Sequence, residues 1–120
     1  MQSSLVLVCV YIVKSYVDLT GTNSLEELET LTLHCTANPP ASISWLKRTS
    51  KGIKTISTSS RITISTQETT TKNGLSITHS TLMIRDVTEV DSADYVCEAD
   101  NGAESIPTAK SLLVNIHGII

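Results

Sequence analysis

Three histidines in this sequence have the chemistry expected of a general base or a metal ligand. His34, His79 and His117 are spread along the chain, and none has a second metal-binding side chain at ligand spacing. None accompanies a serine in the setting that exposes a catalytic nucleophile. His34 falls on the polar face of the alternating stretch "TLTLHC", where a solvated histidine is expected. The histidines predict no active site, and we expect a protein that is not an enzyme.

A group of carboxylates offers a second candidate chemistry. Glu89, Asp91 and Asp94 lie close together just before Tyr95, and carboxylate oxygens are the ligands that calcium prefers. Acidic side chains are equally typical of turns, where they bond nearby backbone groups. A motif described below accounts for Asp91 and Asp94 without a metal. We therefore expect no metal and no cofactor.

The three cysteines, Cys9, Cys35 and Cys97, could bind a metal, act in redox chemistry or form a disulfide. No two of them have the Cys-x-x-Cys spacing of a zinc site or a thiol redox motif, so the first two options are not favoured. If Cys9 were removed with a leader peptide, an even number would remain. An even number of cysteines is typical of disulfide-bonded proteins in an oxidising, extracellular compartment.

The length and charge of the chain limit what it can be. Its 120 residues suit one domain. The net charge is −3, with 9 basic and 12 acidic residues spread along the chain and no basic patch for a phosphate backbone. We expect no nucleic-acid partner and no small-molecule substrate.

The N-terminal segment 1–15 has two interpretations. Its apolar run, residues 5–13, is far shorter than the ~20 residues that a membrane-spanning helix needs. It fits the hydrophobic region of a secretory signal peptide, although no basic residue precedes it. Because Val and Ile outnumber Leu in this run, it equally fits an extra N-terminal strand.

From residue 25 onwards the chain consists of short alternating runs separated by turn residues, which predicts an all-β sandwich or barrel. Asn73-Gly74 predicts a hairpin turn between the runs that contain Ile62/Ile64 and Leu82/Ile84. A two-residue turn there would put the two apolar sets on opposite faces of the sheet. We therefore predict a β-bulge, or a turn with an odd number of residues, between Ser65 and Thr81.

Three features in order are specific when taken together: Cys35, Trp45 ten residues later, and "DSADYVC" ending at Cys97. From about residue 25 to 116 the chain resembles the immunoglobulin superfamily, most closely its I-set. The resemblance implies an immunoglobulin-like sandwich of two antiparallel sheets with Greek-key connections and one inter-sheet disulfide. It implies a single domain over 16–117, with 118–120 as a tail or the start of a linker, and core strands near 30–36, 42–47, 76–85 and 93–100.

The resemblance also implies structural roles for particular residues. Cys35 and Cys97 would form the disulfide, and Tyr95 would be the tyrosine corner, its hydroxyl bonded to backbone just upstream. Arg61 would form a structural salt bridge with Asp91. The remaining implied core residues are Trp45, packed against the disulfide, and Leu33, Leu82 and Ile84.

In such a sandwich, specific binding lies on an exposed face or in loops. Strand alternation predicts one protein-binding face with a small apolar centre and a charged surround, the usual anatomy of a modest interface. The expected centre is Leu46, Val96 and Leu113, and the expected surround is Arg48, Glu98 and Asp100.

The resemblance implies a non-enzymatic recognition module, secreted or at the cell surface, that works in adhesion or in receptor–ligand binding. Its partner would be another protein or a second copy of itself, and tandem sister domains are common in this family. The alternative is an intracellular I-set spacer of a muscle or cytoskeletal protein, with reduced cysteines.

Overall fold

The computed structural model describes residues 14–103 and 106–118, and nine β-strands make up the regular structure of this part of the chain. A short 3₁₀ turn, Glu89–Asp91, precedes the eighth strand. The strands are β1 Tyr16–Gly21, β2 Ser24–Glu26, β3 Leu31–Asn38, β4 Ser42–Thr49, β5 Gly52–Thr55, β6 Ile62–Thr70, β7 Ser76–Ile84, β8 Ala93–Asp100 and β9 Thr108–His117. Residues 1–13, with the apolar run and Cys9, lie outside the described residues, so the two interpretations of that segment remain predictions.

The strands form two sheets that pack face to face, as expected for an immunoglobulin-like sandwich. One sheet has the order β1-β3-β7-β6 and the other the order β2-β9-β8-β4-β5. Neighbouring strands are mostly not consecutive in sequence, which is Greek-key connectivity. All pairings are antiparallel except that of β2 with β9, which is parallel. The predicted all-β architecture is therefore correct.

Strict alternation of side chains explains how β3 serves both the core and the surface. Leu31, Leu33, Cys35 and Ala37 are fully buried between the sheets. The intervening positions point away from the core, and His34 is exposed there. A two-residue period is what a strand with one buried face requires.

The hairpin between β6 and β7 resolves the register problem by means of its turn. Ile62 lies opposite Ile84 and Ile64 opposite Leu82, so the apolar sets share one face. The register stays constant up to the last pair, Thr70 and Ser76, which leaves five residues between the strands. Gly74 has a φ of 80°, as suits the left-handed position of such a turn. The predicted odd-numbered turn is confirmed.

The N-terminal edge of the sandwich changes sheets at Gly21. β1 pairs with β3 in one sheet, whereas β2 pairs with β9 in the other. Gly21 has a φ of 155°, and a Cβ at this position would lie 2.5 Å from Cδ2 of the buried Leu33. The crossing therefore needs a residue without a side chain.

The segment 47–60 contains β5, a strand that was not predicted from the sequence. This strand forms the edge of the five-stranded sheet and pairs with β4 through a tight turn, with Thr49 opposite Gly52. β5 therefore extends the surface on the outer side of β4. The described part of the chain contains no apolar helix of membrane-spanning length.

Candidate functional site

The disulfide and Trp45 form the centre of the core. Cys35 in β3 and Cys97 in β8 join the two sheets, with Cα atoms 6.4 Å apart. Trp45 lies opposite Cys97 in the β4–β8 register and is 2% exposed. Its indole Nε1 donates a hydrogen bond of 2.8 Å to Oγ of Ser80 on the opposing sheet. The sequence pattern identified the disulfide and the tryptophan but not this buried serine.

The remaining core residues that the resemblance implied are also buried. Leu33 and Leu82 are fully buried and lie opposite each other, while Ile84 is 2% exposed. Tyr95 is fully buried, and its hydroxyl donates a hydrogen bond to the carbonyl oxygen of Asp91, four residues upstream. Burial, with a smaller contribution from the Asp91 charge, raises the pKa of Tyr95 far above its usual range. The phenol therefore stays protonated and serves as a donor.

Asp91 and Arg61 form an ion pair at the rim of the sandwich. Nη1 of Arg61 lies 3.2 Å from Oδ2 of Asp91, and the Thr88 backbone N–H donates to the same oxygen over 2.9 Å. Burial opposes ionisation of Asp91, but the hydrogen bonds from Arg61 and Thr88, with the charges of Arg61 and Lys47, outweigh it. The pKa of Asp91 is therefore lowered. The pair fixes the turn before β8 and has no catalytic geometry.

The side of the five-stranded sheet that faces away from the core carries the predicted binding residues. We call this surface the outer face. It is formed by β5, β4, β8 and β9, and its residues are Ser44, Leu46, Arg48, Ile53, Thr55, Asp94, Val96, Glu98, Ser111 and Leu113.

One row of side chains across the outer face combines an ion pair with two exposed apolar residues. Ile53, Arg48, Asp94 and Leu113 lie opposite one another on four neighbouring strands. Nε of Arg48 donates to Oδ2 of Asp94 over 3.0 Å. Ile53 and Leu113, at the two ends of the row, are each 60% exposed. Exposed apolar groups on either side of a charged pair give this surface the composition of a small interface.

Two details of the expected apolar centre need correction. Val96 is on the outer face but only 8% exposed, because Leu46 and Ser111 lie directly opposite it on the neighbouring strands. It therefore supports the face without offering much contact surface. Leu113 lies opposite Asp94, so it is beside the ion pair and not in the row of Leu46 and Val96.

The other predicted surface residues lie further along the same strands. Glu98 is half-buried opposite Ser44, and Asp100 is exposed at the end of β8, where its carboxylate accepts from the Gly102 N–H. Ile53 was missed because no strand was predicted from the sequence at β5. The turn residues Ser50 to Gly52, followed by alternation in "IKT", are the signal that could have located it.

The histidines do not come together. Each bonds one hydroxyl oxygen: His34 that of Thr81, His79 that of Thr69, and His117 that of Ser24, at 3.2, 3.1 and 3.0 Å respectively. The Ser24–His117 pair is exposed, and no described carboxylate bonds the other ring nitrogen to orient it as in a catalytic triad. In the described part of the chain, no three His, Cys, Asp or Glu residues are grouped closely enough to hold a metal.

Comparison with known proteins agrees with this geometry. A family model described as "Immunoglobulin domain" matches residues 16–101. No curated protein matches the sequence. Among solved structures, the chain is similar to one in the crystal structure of Dpr2 Ig1-Ig2 in complex with DIP-Theta Ig1-Ig3, with a TM-score of 0.61 and 19% identity over 92% of this chain. It covers 52% of that chain, about half its length.

A second similar structure is the IgNAR antibody domain C3. The TM-score is 0.57 and the identity 18%, over 86% of this chain and 97% of that one. At such identities both similarities concern the fold alone.

Proposed function

The chain belongs to the immunoglobulin superfamily, and we propose that it is a non-enzymatic protein-binding module that works outside the cell, in adhesion or receptor–ligand recognition. The observation that carries this proposal is the outer face, where Ile53 and Leu113 are exposed on either side of the Arg48–Asp94 ion pair. Single exposed apolar residues are common on any surface. Here two of them lie in one row across a regular, rigid sheet, which suits a modest interface.

The extracellular location is supported by the disulfide. Bonds of this kind persist in oxidising compartments and are rare in the cytosol. The Cys35–Cys97 bridge lies in the centre of the core. An intracellular spacer with reduced cysteines would lack this cross-link, so we favour the extracellular module over the spacer. The closer subtype, an I-set domain, is part of the same proposal.

The partner is proposed to be a protein, either another chain or a second copy of this one. One structural neighbour comes from a crystal of Dpr2 Ig1-Ig2 in complex with DIP-Theta Ig1-Ig3, in which Ig domains bind Ig domains. At 19% identity that similarity concerns the fold and does not identify a partner for this chain. In the present chain the proposal therefore rests on the outer face itself.

A pair of matched substitutions tests the face. We expect Leu113→Asp to weaken self-association or partner binding at least about tenfold, because an introduced charge must be desolvated at the centre of a contact. Leu75→Asp is the control, since Leu75 is 59% exposed but lies in the β6–β7 turn of the other sheet. Self-association is measured by sedimentation equilibrium, and heterophilic binding by affinity capture from secreted and cell-surface material.

Thermal unfolding of the two variants distinguishes a loss of binding from a folding defect. Both variants should stay folded at the temperature of the assay, because both side chains are exposed. Leu113→Asp should lose up to about 1 kcal/mol of stability, since the new carboxylate lies opposite Asp94. If Leu113→Asp binds every captured partner and self-associates as the wild type does, the outer face is not the binding surface. Ile53→Asp tests the same prediction independently at the other end of the row.

A further inference from the structure

A second surface lies at the end of the five-stranded sheet, where the β4–β5 turn faces the 3₁₀ turn. Between them is an open cavity of about 640 Å³. This volume is within the range of pockets that hold small ligands. We call it the lysine cavity, because Lys47, Lys51 and Lys54 line it. Three of the nine basic residues of a chain with net charge −3 are thus gathered around one cavity.

The lysines of the cavity form no salt bridge with a carboxylate in the described part of the chain. Lys47 lies directly opposite Lys54 in the β4–β5 register, an arrangement of like charges that is unfavourable on its own. The cavity lining itself contains no Asp or Glu. A bound anion would relieve this repulsion.

Two contacts hold the cavity in shape. Nζ of Lys47 donates a hydrogen bond of 3.0 Å to the carbonyl oxygen of Val90, which ties β4 to the 3₁₀ turn. On the other side of the cavity, within the β4–β5 turn, the backbone N–H of Lys51 donates a hydrogen bond of 3.2 Å to Oγ1 of Thr49. The charges of Lys47 and Asp91 attract each other, but the Asp91 carboxylate accepts its hydrogen bonds from Arg61 and the Thr88 N–H. Lys47 is therefore positioned, while its charge remains available to a ligand.

The types of side chain indicate which anion fits. The cavity contains no arginine, whose planar fork is suited to paired hydrogen bonds with carboxylates and phosphates. The ammonium groups of lysine are compact point charges, and their three donors can turn towards the oxygens of a sulfate group. The side chains of Thr49, Ser50 and Ser92 add hydroxyl groups to the lining, which match the hydroxyls of a sugar.

We propose that the lysine cavity binds a sulfated glycan. Several sulfate groups on one saccharide chain would neutralise the facing lysines together, and the open cavity lets a longer chain run past it. The site adjoins the outer face at Ile53, which lines the cavity, whereas Leu113 lies outside the cavity lining. It rests on the proposed function only in that sulfated glycans are met outside the cell.

Calorimetric titration of the full chain with a size-defined sulfated hexasaccharide tests the proposal. We expect binding that weakens as salt rises from roughly 50 to 300 mM, since screening shortens the reach of exposed charges. Lys51→Gln and Lys54→Gln should each lower the affinity about fivefold, and the double variant should lower it further than either single variant. Both lysines are exposed, so these variants should unfold at the wild-type temperature.

The double variant Lys72→Gln/Lys110→Gln is the control, because it removes the same charge from positions outside the cavity lining. An equal loss of affinity in this control would mean unspecific attraction and would overturn the proposal. Three further probes are a desulfated hexasaccharide, inorganic sulfate or phosphate, and an acidic peptide. If any of them binds as tightly as the sulfated hexasaccharide, the cavity is not a sulfated-glycan site. Leu113→Asp should leave glycan binding unchanged, which separates this proposal from that of the protein-binding face.

Discussion

The indole N–H of Trp45 and the hydroxyl of Ser80 form a buried hydrogen bond between the two sheets of the sandwich. Ser80 is 1% exposed and lies opposite Cys35 in the β3–β7 register, so this bond is next to the disulfide. The Ser80 oxygen also lies 2.9 Å from Oγ1 of Thr66 on β6. One hydroxyl thus connects the largest side chain of the core to two strands of the opposing sheet.

Replacing Ser80 by Ala should lower the free energy of unfolding by about 1 to 3 kcal/mol. The substitution leaves the buried indole N–H without its acceptor, and the desolvation of that donor is then not compensated. Urea unfolding followed by tryptophan fluorescence measures the loss, since Trp45 is the chain's single tryptophan. Ser65→Ala, at an exposed position of β6, is the control and should change stability little. A loss below about 0.5 kcal/mol for Ser80→Ala would show that water or a rearranged side chain satisfies the indole.

Asp91 should make the free energy of unfolding depend on pH in the acidic range. Its folded-state pKa is lowered, so its stabilising contribution is present above the ordinary value near 3.8 and is lost as the pH falls below it. Asp91→Asn should cost about 1 to 2 kcal/mol near neutral pH. That range is modest because Arg61 is 43% exposed and the ion pair is screened, while the Thr88 hydrogen bond is partly buried.

The measurement is urea unfolding of wild type and Asp91→Asn from about pH 7 to about pH 2. The difference between the two should shrink below about pH 3.8 as the wild-type carboxylate is protonated. Arg61→Gln leaves the buried Asp91 carboxylate without its counter-ion and removes the hydrogen bonds from Arg61 to the carbonyl oxygens of Arg85 and Asp86. It should therefore cost at least as much at neutral pH. A difference that stays constant across the whole range would contradict the lowered pKa.

Much of the fold followed from the sequence because its main devices are local. A two-residue period decides which face of β3 is buried, and the spacing from Cys35 to Trp45 to "DSADYVC" carried the resemblance to the immunoglobulin superfamily. The Asn73-Gly74 hairpin even required a β-bulge or an odd-numbered turn, since a regular two-residue turn would have put the two apolar sets on opposite faces of the sheet.

The features that the sequence did not supply depend on register between distant strands. Whether Leu113 lies beside Val96 or beside Asp94 is decided by the β8–β9 register, which no local pattern encodes. The burial of Val96 and the role of Ser80 likewise depend on neighbours more than ten residues away. The predicted residues therefore lie on one side of the sheet, but in an arrangement that differs from the expected one.

Gly21 should not tolerate a side chain. A Cβ there would lie 2.5 Å from Cδ2 of Leu33 and 2.7 Å from the carbonyl oxygen of Thr32, and its φ of 155° is one that other residues rarely adopt. Gly21→Ala must displace a fully buried leucine or open the crossing between sheets. We expect a loss of about 2 to 4 kcal/mol in urea unfolding.

Gly52 provides the matched control for this substitution. It also has a positive φ, 124°, but nothing lies within 4 Å of an added Cβ. Gly52→Ala therefore introduces backbone strain without a steric clash and should lower the free energy of unfolding by about 1 to 2 kcal/mol. Equal losses for the two variants would show that backbone conformation alone, and not the contact with Leu33, requires glycine at position 21.

The disulfide should provide the largest single covalent contribution to stability. It links residues 62 apart in sequence, and in the chain-entropy model closing a loop of that length stabilises the domain by about 4 kcal/mol. The double variant Cys35→Ala/Cys97→Ala should lose about 3 to 5 kcal/mol in urea unfolding. Adding a reductant should lower the wild-type unfolding midpoint towards that of the variant and leave the variant's own midpoint unchanged. Intact mass before and after alkylation, on protein from a secreting cell, counts the free thiols in parallel. Wild-type protein that keeps every thiol free and has the same midpoint with and without reductant would contradict both the cross-link and the extracellular location.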